Sequence, residues 1–216
     1  MVSTCSFSPG KWAAIPVRVI TRAFPRLNAA SWDLQYKLGL WDYLDLTQST
    51  GFELFEVVEE YAPMASILDL GCGTTANLPL TPGRFRHYHG VDISEKAIER
   101  ARQLRRASAT YETADILTYV PQEAYDVILL REVIYYLPLT KVGQLLRRLS
   151  TFLTPNGVIL IQIWAGDKNS GLLGAMKASA LPVMVEKTLG PGPGHPTVYL
   201  LGKPENTAEA LDSHAS

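Results

Sequence analysis

A glycine turn sits between two carboxylates in this chain. Ile67-Leu68-Asp69-Leu70 runs into Gly71-Cys72-Gly73, and Gly90-Val91-Asp92 ends nineteen residues after Gly73. Each apolar run has the look of a short buried strand that finishes on or beside an acid. Glycines let the backbone pass close to a ligand where a Cβ would clash. A carboxylate at the end of the next strand can accept both hydroxyls of a ribose. Together they describe a nucleoside-binding crevice at the carboxyl ends of two neighbouring parallel strands.

The turn by itself leaves three readings open. Gly71-Cys72-Gly73-Thr74-Thr75-Ala76 satisfies the relaxed dinucleotide pattern, with Ala76 in the last small-residue slot. The same letters, with Asp69 two places before the first glycine, resemble motif I of class I S-adenosylmethionine (SAM) methyltransferases. The third reading is a tight turn that needs small residues and binds nothing.

The elements that must position these residues alternate between helical and extended patterns from residue 51 onward, the signature of a parallel α/β sheet. Phe52, Phe55, Val58 and Ala62 recur at helical spacing after Ser49-Thr50. Strands are expected at Ser66 to Leu70, His87 to Ile93, Thr110 to Ala114 and Tyr125 to Leu130. A short helix is expected after Thr75, ending by Pro82-Gly83. Ser94 is a good N-cap for a helix whose apolar face is Ala97, Ile98, Ala101 and Leu104. Val142, Leu145, Leu146 and Leu149 mark another amphipathic helix, and Pro155-Asn156-Gly157 turns into a fifth strand, Val158 to Trp164. A weak helix over Gly171 to Ala180 precedes strands at Val183 to Lys187 and Thr197 to Leu201, joined by the Gly190 to Pro196 link.

Composition narrows the function classes. At 216 residues and 47% hydrophobic the chain suits one well-buried domain. A net charge of −1 gives no general attraction toward nucleic acid. Cys5 and Cys72 are the only cysteines, too few for a disulfide framework or a cysteine-rich zinc site. No apolar run approaches the ~20 residues that span a bilayer. The first 32 residues hold no acid but carry Lys11, Arg18, Arg22 and Arg26 among apolar side chains. This reads either as a targeting or membrane-surface segment or as a basic arm folded onto the domain; Pro16 and Pro25 interrupt any helix there. A cytoplasmic placement goes with the second reading. The organisation expected is an arm over 1–50, a binding domain over 51–203 and a disordered polar tail over 204–216.

Taken with this order of elements, four stretches resemble the class I SAM-dependent methyltransferases. They are Asp69-Leu70-Gly71-Cys72-Gly73, Val91-Asp92-Ile93-Ser94, Thr113-Ala114-Asp115-Ile116 and the run Tyr125 to Leu137. The resemblance implies a single Rossmann-like, seven-stranded, mostly parallel sheet with helices on both faces and an antiparallel last strand. It implies SAM as cofactor, held by Asp69, Gly71, Cys72, Gly73, Asp92, Ile93, Asp115, Ile116, Leu130 and Arg131. Asp92 would take the ribose and Asp115 the adenine amino group. Thr75 departs from the third glycine of the motif. Trp32 to Tyr43, with four aromatics in twelve residues, is similar to the lid of small-molecule methyltransferases, with Trp32 and Tyr36 at the cofactor. An aromatic face near a sulfonium gains on the order of 1 kcal/mol.

Methyl transfer is an in-line displacement that depends on alignment and exclusion of water, so no catalytic triad is required. The acceptor is expected above strand four. There Glu132 could bind the cofactor's amino group or act as base, Tyr136 and Tyr135 line the mouth, and Arg131 could clamp an anionic group. His195, in the last link, is a third catalytic candidate. The residues after strand four, Leu130-Arg131-Glu132-Val133, lack the motif of DNA amino methyltransferases. A small polar acceptor fits better than nucleic acid. The alternative is a SAM-binding module without chemistry.

Overall fold

The computed structural model describes residues 25–42, 49–164, 171–190 and 195–203. The basic stretch through Phe24, Cys5, Tyr43, most of the link from 191 to 194, and the tail from 204 lie outside the described residues. So do the targeting and tail readings that rest on them.

The elements in order are α1 (Pro25–Lys37), α2 (Ser49–Tyr61), β1 (Ser66–Leu70), β2 (His87–Asp92), α3 (Glu95–Gln103), β3 (Ala109–Thr113) and β4 (Tyr125–Arg131). A single 3₁₀ turn (Ile134–Tyr136) then leads to α4 (Leu139–Ser150), β5 (Leu153–Ile163), α5 (Leu172–Lys177), β6 (Val183–Thr188) and β7 (Thr197–Leu201). The strands form one sheet in the order β3-β2-β1-β4-β5-β7-β6. β7 runs antiparallel to both its neighbours, β5 and β6, while all other pairings are parallel. This is the expected Rossmann-like architecture, with the last strand reversed. The order of connection changes direction between β1 and β4, the position at which open α/β sheets bind ligands beyond the carboxyl ends of their strands.

Side-chain alternation splits the core into two layers. Leu68, Leu70, Ile128, Leu130, Ile159 and Ile161 face α4 and α5. Ile67, Val127, Leu129, Val158 and Leu160 face α2 and the segment after the glycine turn. Strands covered on both sides need apolar residues in nearly every position, which is why all five residues of β1 are buried. In α4 the buried residues Val142, Leu145, Leu146 and Leu149 follow the helical repeat. Each such burial contributes roughly 1.5–3 kcal/mol, so Leu146→Ala would cost about 2–5 kcal/mol. Gly143 lets α5 pack close, since a Cβ there would meet Ala175 and Ala178 at 3.1–3.2 Å.

Three expectations are corrected. No helix follows Thr75: the chain makes successive turns down to Arg86. Pro79 and Pro82 lack the backbone donors a helix uses, and Thr75 itself is left-handed at φ 57°. Second, Pro155-Asn156-Gly157 lies inside β5, beside a register shift at Tyr125–Val127, instead of preceding the strand. Third, boundaries move by about a residue, with β2 ending at Asp92 and β3 starting at Ala109.

Candidate active site

The glycine turn is shaped by two close approaches. Gly71 (φ 80°) and Gly73 (φ 60°) are left-handed, which costs other L-residues about 1–2 kcal/mol. A Cβ on Gly71 would run into Val133 in the loop after β4, and one on Gly73 would sit 2.9 Å from the Tyr36 hydroxyl. The Gly71 and Cys72 amides both donate to Val91 O, at 2.7 and 3.1 Å, folding the turn back onto β2. Thr75 takes the left-handed conformation that the motif's third glycine would supply. Arg106 holds it there, donating to Thr75 O at 2.8 Å and to its Oγ1 at 3.2 Å. Cys72 is 1% exposed, and burial pushes its thiol well up, which makes it a packing residue and no nucleophile.

Two acids flank this turn, and a third, Asp115, follows β3. Asp69 is wholly buried opposite Gly90 of β2. Its Oδ2 accepts the Tyr88 hydroxyl at 2.6 Å. Its Oδ1 is buried and has no hydrogen-bond partner among the described residues. Burial pushes its pKa up to about 6, against the pull of the Arg131 charge and the Tyr88 bond. Asp92 accepts the Gly73 amide at Oδ2 (2.9 Å) and the Ser94 amide at Oδ1 (2.8 Å). Burial raises it as well, to about 6, although both amides favour the ionised form. Each Asp92 oxygen keeps a further lone pair for a ligand hydroxyl. Asp115 caps its own turn, accepting the Leu117 amide at 2.9 Å. Arg148 of α4 fixes the same loop through the carbonyls of Ile116, Leu117 and Tyr119.

The N-terminal arm reaches this site from above. α1 packs on α3, where Asp33 accepts the Ser94 hydroxyl at 2.7 Å and Arg100 donates to Tyr36 O at 2.8 Å. This brings the Tyr36 hydroxyl over Gly73. Trp32 packs edge-on against Tyr136, with ring centroids 5.1 Å apart, and lies 5.5 Å from Trp41. Residues more than a hundred positions apart in sequence thus close one aromatic wall.

Beyond β4 the candidates separate. Arg131 donates to Asn77 Oδ1 at 3.1 Å and lies near enough to Asp69 to lower its pKa, so it faces the glycine-turn side. Glu132 is left-handed, at φ 56°. Its Oε2 accepts the Tyr135 hydroxyl (2.7 Å) and the Trp164 amide (3.1 Å), and burial raises its pKa. Tyr136 packs on Tyr135 with centroids 4.7 Å apart. The Leu130 and Ile116 side chains are buried in the core, and Ile93 is half-buried. His195 lies at the same end of the sheet, since Thr197 pairs with Ile163 at the end of β5. It belongs to the β6–β7 link, however, packed on Gly190 and set off from the β1–β4 crevice by β5 and β7. Gln162 was missed by sequence reasoning, although it is the one polar residue in Val158-Ile159-Leu160-Ile161-Gln162-Ile163. It pairs in register with Arg131 and is 1% exposed. Asn77, 6% exposed, had no sequence signal beyond its nearness to the turn.

The arrangement fits an adenosine-bearing cofactor: left-handed glycines without room for a Cβ, a pre-oriented carboxylate on β2, and an orphaned buried oxygen on Asp69. A family described as "Methyltransferase domain" matches residues 15–187. The chain belongs to this methyltransferase family. A curated relative, trans-aconitate 2-methyltransferase of Methylobacterium radiotolerans, is 35% identical over 113 residues, covering 51% of this chain and 42% of its own. The match thus spans less than half of that relative's length. The N-methyltransferase NodS of Bradyrhizobium japonicum, solved with S-adenosylhomocysteine (SAH), superposes with TM-score 0.60 at 19% identity, over 72% of this chain and 86% of that one. The magnesium protoporphyrin IX methyltransferase of Synechocystis, solved with SAM, gives 0.61 at 16% identity, over 89% of this chain and all (100%) of its own. At these identities the solved structures establish the fold. SAM is the cofactor that membership of the methyltransferase family carries. Among the described residues no helix is long and apolar enough to cross a membrane, and no cluster suited to a metal ion occurs.

Proposed function

We propose that the protein catalyses SAM-dependent methyl transfer to a small polar metabolite, at an oxygen or nitrogen acceptor. The observation that carries the reading is the joint placement of Asp69, the Gly71–Gly73 turn and Asp92 at the point where the sheet order reverses. When bound, the sulfonium supplies an electrophilic methyl carbon.

The chain's own residues supply alignment and dryness. Asp92 accepts the ribose hydroxyls while the Gly73 and Ser94 amides hold its carboxylate in place. Asp115 takes the adenine amino group. Asp69 Oδ1 and Arg131 face the amino-acid end, where Arg131 pairs with a carboxylate and Asp69 with an ammonium. Trp32 and Tyr36 form the lid over the sulfonium, supported by the position of Tyr36 above Gly73. Glu132, beside Tyr135 and Tyr136, orients the acceptor and accepts its proton. His195 stands farther out and contacts a larger acceptor at most. The near-neutral charge offers nucleic acid little, which favours a small molecule.

The test is incubation of the protein with methyl-labelled SAM and a small-molecule extract. Formation of SAH with label in a metabolite supports the reading. Label appearing only in RNA, DNA or protein overturns the acceptor class, and binding of SAH without any transfer reduces the protein to a binding module.

A further inference from the structure

We propose that Gln162, together with Glu132, selects the acceptor by its hydrogen-bond donors, so that the methylated group is an amine or a hydroxyl and not a carboxylate. This rests on the methyl-transfer reading above and deepens it.

Glu132 and Gln162 meet at the tips of β4 and β5, where the Glu132 amide donates to Gln162 O at 3.0 Å. Gln162 is 1% exposed and lies next to Glu132, whose ionised form its side-chain amide favours. An ionised carboxylate is acceptor-only. Gln162 Oε1 is buried without a partner among the described residues, and so is Glu132 Oε1. The other Glu132 oxygen is already filled by Tyr135 and Trp164. Two buried acceptor atoms thus lie on residues joined at the tips of β4 and β5, neither in a hydrogen bond among the described residues.

Buried polar groups without partners cost stability, typically about 1–3 kcal/mol each. Unpaired groups and strained backbone concentrate at functional sites, and Glu132 is also held left-handed. A ligand that satisfies both oxygens must bring N–H or O–H groups. A carboxylate would set its own lone pairs against them, a mismatch that discriminates strongly. In the transfer, the acceptor's lone pair forms the bond to the methyl carbon while the carbon–sulfur bond breaks and its electron pair stays on sulfur. The displaced proton passes to the Glu132 carboxylate and on to water. A carboxylate acceptor, ionised at neutral pH, has no proton to give that base.

Two measurements decide it. Labelled small-molecule products from a metabolite extract are treated with mild alkali, which hydrolyses methyl esters to labelled methanol and leaves methylamines and methyl ethers intact. Alkali-stable label is expected, and mainly alkali-labile label overturns the inference while leaving the methyl-transfer reading standing. Gln162→Leu, which removes one unpaired acceptor at similar volume, is expected to keep or raise Tm and to leave SAH affinity within about twofold. Its kcat/KM for the extract's acceptor should fall roughly tenfold to a hundredfold. A Gln162→Leu protein that loses several degrees of Tm with unchanged kcat/KM makes Gln162 a packing residue and overturns the inference. If SAH binds but nothing is methylated, the transfer reading falls and this inference falls with it.

Discussion

Asp33 of the arm accepts a hydrogen bond from the Ser94 hydroxyl at 2.7 Å. Ser94 simultaneously caps α3 by accepting the Ala97 amide, and its own backbone amide orients Asp92. One serine therefore joins the arm, the helix and the proposed ribose carboxylate. Ordering of the arm and pre-orientation of Asp92 are linked through that residue, which gives the aromatic wall above Gly73 a mechanical connection to the crevice below it.

That linkage predicts the behaviour of Asp33→Ala. Losing a bond worth about 1 kcal/mol should weaken SAH binding near fivefold. Amides of α1 should exchange faster in the variant, and ligand-induced protection of α1 should shrink. Hydrogen exchange with and without SAH checks both; unchanged exchange in α1 would separate the arm from the site.

Asp92→Ala should weaken SAH binding by about ten- to a hundredfold, since it removes charge-assisted bonds to two hydroxyls that water only partly replaces. Calorimetry reads this directly. The fold should survive, because the Ala side chain leaves β2 register and packing intact.

The raised pKa values of Asp69 and Asp92, each about 6, have a definite sign. Unfolded, both titrate near 3.9. Between about pH 4 and pH 6 the native state therefore binds more protons, so these two groups favour the ligand-free fold below about pH 4 and lose that contribution as pH rises through 6. Ribose binding requires ionised Asp92, so SAH affinity should fall as pH drops from 7 to 5. Near pH 6, ionisation of Asp92 on binding should contribute roughly half a proton per molecule to the release. Calorimetry in buffers of different ionisation enthalpy measures this, and Asp92→Asn should abolish that share.

Gly71→Ala combines a left-handed residue with a collision against Val133. The conformational cost of about 1–2 kcal/mol and overpacking of about 1–3 kcal/mol predict destabilisation of about 2–5 kcal/mol. Denaturant unfolding tests it, and a variant of normal stability would show that the loop after β4 yields freely.

Local pattern carried most of the fold. Continuous apolar runs identified β1 and β4, the heptad-like spacing of Val142 to Leu149 identified α4, and Ser94 announced α3. Asp69, Gly73 and Asp92 were legible because a strand end and a tight turn leave one-dimensional marks. The segment after Thr75 was misread because a turn-to-helix expectation outweighed two prolines. Asn77 and Gln162 escaped because their partners are distant: Arg131 meets Asn77 across 54 positions, and Glu132 reaches Gln162 only through sheet pairing. The direction of Arg131 is likewise tertiary, since nothing local shows which side of the strand tip it bonds.

The central claim is that the crevice between β1, β2 and β4 holds an S-adenosyl cofactor. Titration of the protein with SAH and, separately, with NAD under the same conditions tests it most directly. One equivalent of SAH binding at micromolar strength, weakened by Asp92→Ala, with negligible heat from NAD, is the expected result. Tight NAD binding with no SAH signal would contradict the account.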